Sequence, residues 1–131
     1  MDFNTEIEFV KKYIKKEYQE RLIFELQSQK HREKAISRFS HFSKDILNDS
    51  FKSCDMSEFP NLVRDKIAAK EKTYIISSDE NDGKLLPLSE AVECCKKSYM
   101  AMILISKKFV LVKEEYEKRV YFFFQNKKAN H

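Results

Sequence analysis

Apolar residues recur at Phe3, Ile7, Val10, Ile14, Tyr18, Leu22 and Leu26. Steps of three and four place such residues on one side of a helix. The spacing predicts a long first helix, with Asn4 or Thr5 as its cap. Leu22, Ile23, Phe24 and Leu26 point nearly all round the axis. A helix that is apolar on every side must be covered on every side, so residues 22–26 are expected deep inside the monomer or in a dimer seam. A second helix is predicted over Lys30 to Asn48, with Ile36, Phe39, Phe42, Ile46 and Leu47 on one side. Residues 51–55 read as a connector. A shorter helix over Glu58 to Lys70 carries Pro60 in its first turn, where the missing N–H costs nothing.

The pattern then changes. TYIIS at 73–77 reads as a strand, and Leu85–Leu88 leads into a helix over Ser89–Lys97 with Ser89 as cap. MAMILI (100–105), FVLVK (109–113) and RVYFFF (119–124) are close enough in sequence to form an antiparallel meander. Two of these three runs are continuously apolar, and such runs imply strands buried on both faces. The N-terminal helices can cover one face and helix 89–97 part of the other. A face left uncovered would be a homodimer interface or a pocket. The reading is an α+β fold in which two or three N-terminal helices pack on a small, mostly antiparallel β-α-β-β-β sheet. One domain is expected over 1–126, with a disordered tail at 127–131.

Composition narrows the function classes. The chain has 131 residues, with eleven Phe and six Tyr but one Gly and two Pro. A single glycine nearly excludes a glycine-rich phosphate cradle, and no dinucleotide, Walker, zinc-protease or nucleophile-elbow motif occurs. No cofactor, no metal and no catalytic constellation is expected. The net charge of +4 divides as +2 over residues 1–52, −2 over 53–98 and +4 over 99–131. That is too diffuse for a dedicated nucleic-acid binder. Cys54, Cys94 and Cys95 are odd in number and two are adjacent, which suits a reducing compartment. No signal peptide or membrane-spanning run is read, so a cytoplasmic location is expected.

The stretch SSDENDG, 77–83, holds the only glycine among three acids, Asp79, Glu80 and Asp82. With Gly83 at the sixth position of a calcium loop, position 12 would be Ser89 where a bidentate Glu is needed. A plain turn fits better, since Asn, Asp and Gly tolerate positive φ. Its acids could still serve recognition. Arg38, His41 and Asp45 lie on one helical stripe, where Asp45 could orient His41. Lys11, Lys12, Lys15 and Lys16 are interleaved with Glu8, Glu17 and Glu20, as on a solvated helix face. Cys94 and Cys95 read as buried small hydrophobes, and Tyr121–Phe124 as core more than as an RNA-stacking platform. By elimination the expected function is protein binding by surface occlusion, as in toxin-neutralising immunity or inhibitor proteins and adaptors. Loop 79–82 or helix face 38–45 would meet the partner. The alternatives are a nucleic-acid-associated module using the basic residues, and a small-molecule sensor or enzyme with a pocket between helices and sheet.

Overall fold

A computed structural model describes residues 1–41 and 43–125. Phe42 and the tail 127–131 lie outside the described residues. Helix α1 (Phe3–Tyr13) is capped by neither Asn4 nor Thr5 but by Asp2. Its carboxylate accepts the Thr5 backbone N–H at 3.1 Å and the Thr5 hydroxyl at 2.7 Å. The long first helix is in fact two, because the chain breaks before α2 (Lys16–Gln27). Ile14 is extended and bridges to Leu47, the Lys15 N–H donates to the Ile46 carbonyl, and the Asn48 N–H donates to the Tyr13 carbonyl. Tertiary hydrogen bonds thus replace helical ones at a place with no Gly or Pro to announce it. The buried face of α1 is Glu6, Phe9, Val10 and Tyr13, rotated away from Phe3. In α2, Leu22 and Leu26 are buried while Phe24 is 61% exposed.

Helices α3 (Arg32–His41) and α4 (Ser43–Ile46) occupy the second predicted helix. The expected connector is a strand, β1 (Lys52–Asp55), too polar to be read as one. Helix α5 (Phe59–Arg64) has Pro60 in its first turn, as expected, but ends earlier. Then come β2 (Lys72–Ser77), β3 (Leu85–Pro87) and α6 (Leu88–Lys97). Helix α6 starts directly after Pro87 without a Ser89 side-chain cap. Its leading N–H groups donate instead to the carbonyls of Glu71 and Ala69. Strands β4 (Met102–Ile105), β5 (Phe109–Lys113) and β6 (Arg119–Phe124) complete the described chain.

The sheet is antiparallel throughout, in the order β1-β6-β5-β4-β2-β3, and the fold is α+β. The meander β4-β5-β6 forms its middle. Alternation along the strands divides the apolar runs between two cores. Tyr74, Ile76, Ile103, Ile105, Val110 and Val112 lie under α1–α4, with Tyr121 and Phe123 at the edge of that core. Ile75, Met102, Leu104, Phe109, Leu111, Val120 and Phe122 lie under α5 and α6. Helices therefore cover both faces, which is why these strands read as unbroken apolar runs. The two edge strands are short. One is polar and the other ends in Pro87, features that discourage further strand pairing.

Candidate functional site

The loop between β2 and β3 folds on itself. Gly83 sits at φ +81, the left-handed region that favours glycine, and its N–H donates to the Ile75 carbonyl at 2.8 Å. Asp79 accepts from the Ser77 hydroxyl at 2.7 Å and from the Asn81 N–H at 2.8 Å. Asp82 accepts from the Ser77 N–H at 3.0 Å. Glu80 is the exposed acid of the three.

Asp82 also reaches into the core, to a group that sequence reasoning missed. Arg32 forms a bidentate pair with Asp82 (2.8 and 2.9 Å) and a second bidentate pair with Glu6 (2.7 Å for each bond). Its remaining N–H donates to the Leu26 carbonyl at 2.8 Å, so all five guanidinium hydrogens are used. Glu6 is 0% exposed, and its Oε2 also accepts from the Tyr74 hydroxyl at 2.6 Å. Burial works to lower the Arg32 pKa, but the hydrogen bonds to both carboxylates outweigh it and the group is held above its ordinary value. Burial and the hydrogen bond to Glu6 push Tyr74 up. The network joins α1, α3, β2 and the 77–83 loop. One signal was available in the sequence: Glu6 and Arg32 are charges placed on otherwise apolar helical stripes, with Phe9, Val10 and Tyr13 or Ala35, Ile36 and Phe39.

Arg38, His41 and Asp45 are placed differently from expectation. Arg38 is bidentate to Glu25 of α2, at 2.9 and 2.8 Å, and holds that carboxyl below its usual range. His41 Nε2 lies 3.7 Å from a Glu115 carboxylate oxygen, so it faces the β5–β6 turn. Asp45 is exposed on α4. The end of α3 and the start of α4 are tied to that turn, since the Glu115 N–H donates to the Ser40 carbonyl at 3.3 Å and the Ser43 N–H to Glu114 at 3.2 Å. Burial raises the Glu114 pKa.

At the same turn Tyr116 and Tyr99 stack, with ring centroids 6.1 Å apart and planes 23° apart, although each residue is 72% exposed. Tyr116 has φ 59, an uncommon conformation for a residue with a bulky side chain. Its N–H donates to the Tyr99 carbonyl at 2.8 Å. The adjoining Met100 is held from both sides. Its N–H donates to the Ser98 hydroxyl at 3.1 Å, and its carbonyl accepts from Lys113 at 3.0 Å. Lys113 is buried, and burial lowers its pKa. A buried ammonium and a left-handed tyrosine thus brace the backbone that carries two exposed rings at the end of the sheet.

The other candidates resolve simply. Lys12 pairs with Glu8 at 2.8 Å. Cys95 is buried, its thiol pushed up to about 12 by desolvation, which suits a small hydrophobe more than a nucleophile. The aromatic run is divided between the cores. Phe123 meets Tyr13 and Phe51 on one face, while Phe122 and Phe124 meet Phe59 on the other, so the run offers no open stacking face. An open groove of about 580 Å³ runs between α1 and the sheet. A smaller cleft of about 340 Å³ lies between α5 and α6. Comparison with protein-family models, with curated proteins and with solved structures finds no match for this chain.

Proposed function

We propose that this protein is a non-catalytic protein-binding module that works by covering a partner's surface, as toxin-neutralising immunity or inhibitor proteins and adaptors do. The observation that carries the reading is the Tyr99–Tyr116 pair, two exposed stacked rings on a braced backbone. Tyrosine is among the residues that most often carry interface energy. A segment whose backbone is already braced loses less freedom when a partner covers it. Glu114, Glu115 and Glu117 adjoin Tyr116, and His41 on the predicted 38–45 helix face lies against Glu115. Exposed Lys97 and Lys118 also flank the two rings in sequence, so the complementary partner patch is apolar at its centre with charges of both signs around it.

This reading moves the contact from the acids of 79–82, two of which are engaged within the fold, to the end of the sheet. A nucleic-acid role is less favoured, because the aromatic run of β6 is divided between the two cores. Coverage of both sheet faces also removes the main reason for a homodimer seam. The three cysteines are unpaired, in keeping with a reducing, cytoplasmic setting. Among the described residues no helix is long and apolar enough to cross a membrane.

A photo-crosslinking side chain placed at position 99 in cells tests the proposal. The expected result is a covalent adduct with one other protein from position 99 and none from position 80. An adduct from position 80 with none from 99 would return the contact to the acidic loop.

A further inference from the structure

The groove between α1 and the sheet lies at the other end of the β4–β5 hairpin from the tyrosine pair, because the hairpin turn itself contributes Ser106 and Lys107. Its floor is apolar: Phe9 of α1, Ile105 of β4 and Leu85 of the edge strand β3. Leu85 stands opposite Tyr74, on the face that α1 only partly covers, and it is 57% exposed. At about 580 Å³ the groove falls within the range of small-molecule sites.

The polar groups around that floor are unevenly charged. Lys12, Lys72 and Lys107 line the groove with a single carboxylate, Glu8, and that carboxylate is paired with Lys12. Lys72 and Lys107 have no acidic partner among the described residues. Tyr13 and Gln125 also line the groove and are hydrogen-bonded to each other. Whichever way the Gln125 amide is turned, that pair keeps N–H or O–H hydrogens it has not spent on itself. An apolar floor, two uncompensated ammonium groups and spare donors together describe the complement of one kind of molecule. We propose that the groove binds a small amphipathic anion, with an aromatic or aliphatic body on Phe9, Ile105 and Leu85 and a carboxylate or phosphate at Lys72 and Lys107. The α5–α6 cleft offers no such charge excess, since Arg64 and Glu93 at its rim are opposite in sign.

The test compares 2-naphthoate with its neutral isostere 2-naphthamide, and with inorganic phosphate, by titration followed through backbone amide shifts of the full chain. The expected result is that the carboxylate binds at least about tenfold more tightly than the amide, with a preference that shrinks as salt is raised. Phosphate alone should bind weakly, since the floor then contributes nothing. Shifts should centre on α1, β3 and the 106–107 turn. In the double variant Lys72→Gln, Lys107→Gln the preference for the carboxylate should vanish while the circular dichroism spectrum stays unchanged. Equal affinity of the wild-type protein for carboxylate and amide would overturn the proposal. So would an unaltered preference in the double variant, or shifts centred on the α5–α6 cleft. The tyrosine-pair reading stands or falls separately, because Tyr99→Ala leaves this groove intact.

Discussion

The two acidic turns of this protein, 77–83 and 114–118, have opposite structural duties. The first holds the only glycine and looks like a site in sequence, yet its chemistry is directed inward. Asp79 closes the loop on itself, and Asp82 crosses to Arg32 and through it to Glu6 in the core. The second has no glycine and adopts its left-handed residue at Tyr116. There Glu114 and Glu115 tie the turn to α3 and α4, while Tyr116 and Glu117 stand toward solvent and Lys113, buried beneath, holds the neighbouring strand end by the Met100 carbonyl. A turn that satisfies its own carboxylates stabilises the fold, whereas one whose backbone is braced by a buried cation presents two rings to solvent, the surface proposed above to meet a partner.

The largest expected effect breaks the inward turn. Arg32→Met leaves the buried Glu6 carboxyl with no cation beside it, and should cost about 3–5 kcal/mol in urea unfolding. Adding Glu6→Leu and Asp82→Asn to that variant should recover most of the loss, because no buried charge is then left unpaired. If the triple variant is no more stable than the single one, unpaired charge is not the cause.

A smaller effect is expected at the outward turn's brace. Lys113→Met leaves the Met100 carbonyl without its donor and should cost about 1–3 kcal/mol, offset in part by removal of a buried ammonium. The pH dependence separates the two terms. Burial puts the folded-state pKa of Lys113 below its ordinary 10.5, so the unfolded chain binds more protons over the interval beneath that value. Lys113 therefore makes wild-type stability rise with pH through that interval and withdraws the contribution as pH falls. The difference in unfolding free energy between wild type and Lys113→Met should grow with pH in that window and flatten above it. A pH-independent difference would mean that the lysine carries no burial cost.

Substitutions at Tyr116 sharpen the comparison further. Asn tolerates a left-handed backbone, so Tyr116→Asn should change stability by less than about 0.5 kcal/mol. A β-branched residue does not, and Tyr116→Val should cost about 1–2 kcal/mol. Glu80→Gln, at the exposed acid of the inward turn, should be the mildest of the series, within about 0.5 kcal/mol of wild type.

Much of this architecture was legible from hydrophobic pattern. Continuous runs in β4 and β5 announced strands covered on both sides, and α1–α4 with α5 and α6 supply that cover. Features decided by long-range hydrogen bonding were not legible. KSCD forms β1 because β6 offers a partner, and its side chains carry no apolar alternation. The break at Ile14 follows from its bridge to Leu47, while the helical spacing of apolar residues runs straight across it. Turn chemistry showed that 77–83 reverses the chain, yet not that Asp82 is matched to a residue fifty positions away. The tyrosine pair follows from register. Met102 pairs with Lys113, and three more steps outward along both strands bring Tyr99 opposite Tyr116. Neither tyrosine stands out alone, and only the pairing makes them one surface.

The most direct measurement is retention, on immobilised protein, of the protein partner proposed above and captured by crosslinking from position 99, quantified for wild type, for Tyr99→Ala with Tyr116→Asn, and for Glu80→Gln. The account predicts that the tyrosine variant, though folded, retains the partner at least about tenfold more weakly, in line with the loss of central aromatic contacts, while Glu80→Gln retains it as wild type does. Full retention by the tyrosine variant together with loss in Glu80→Gln would contradict it.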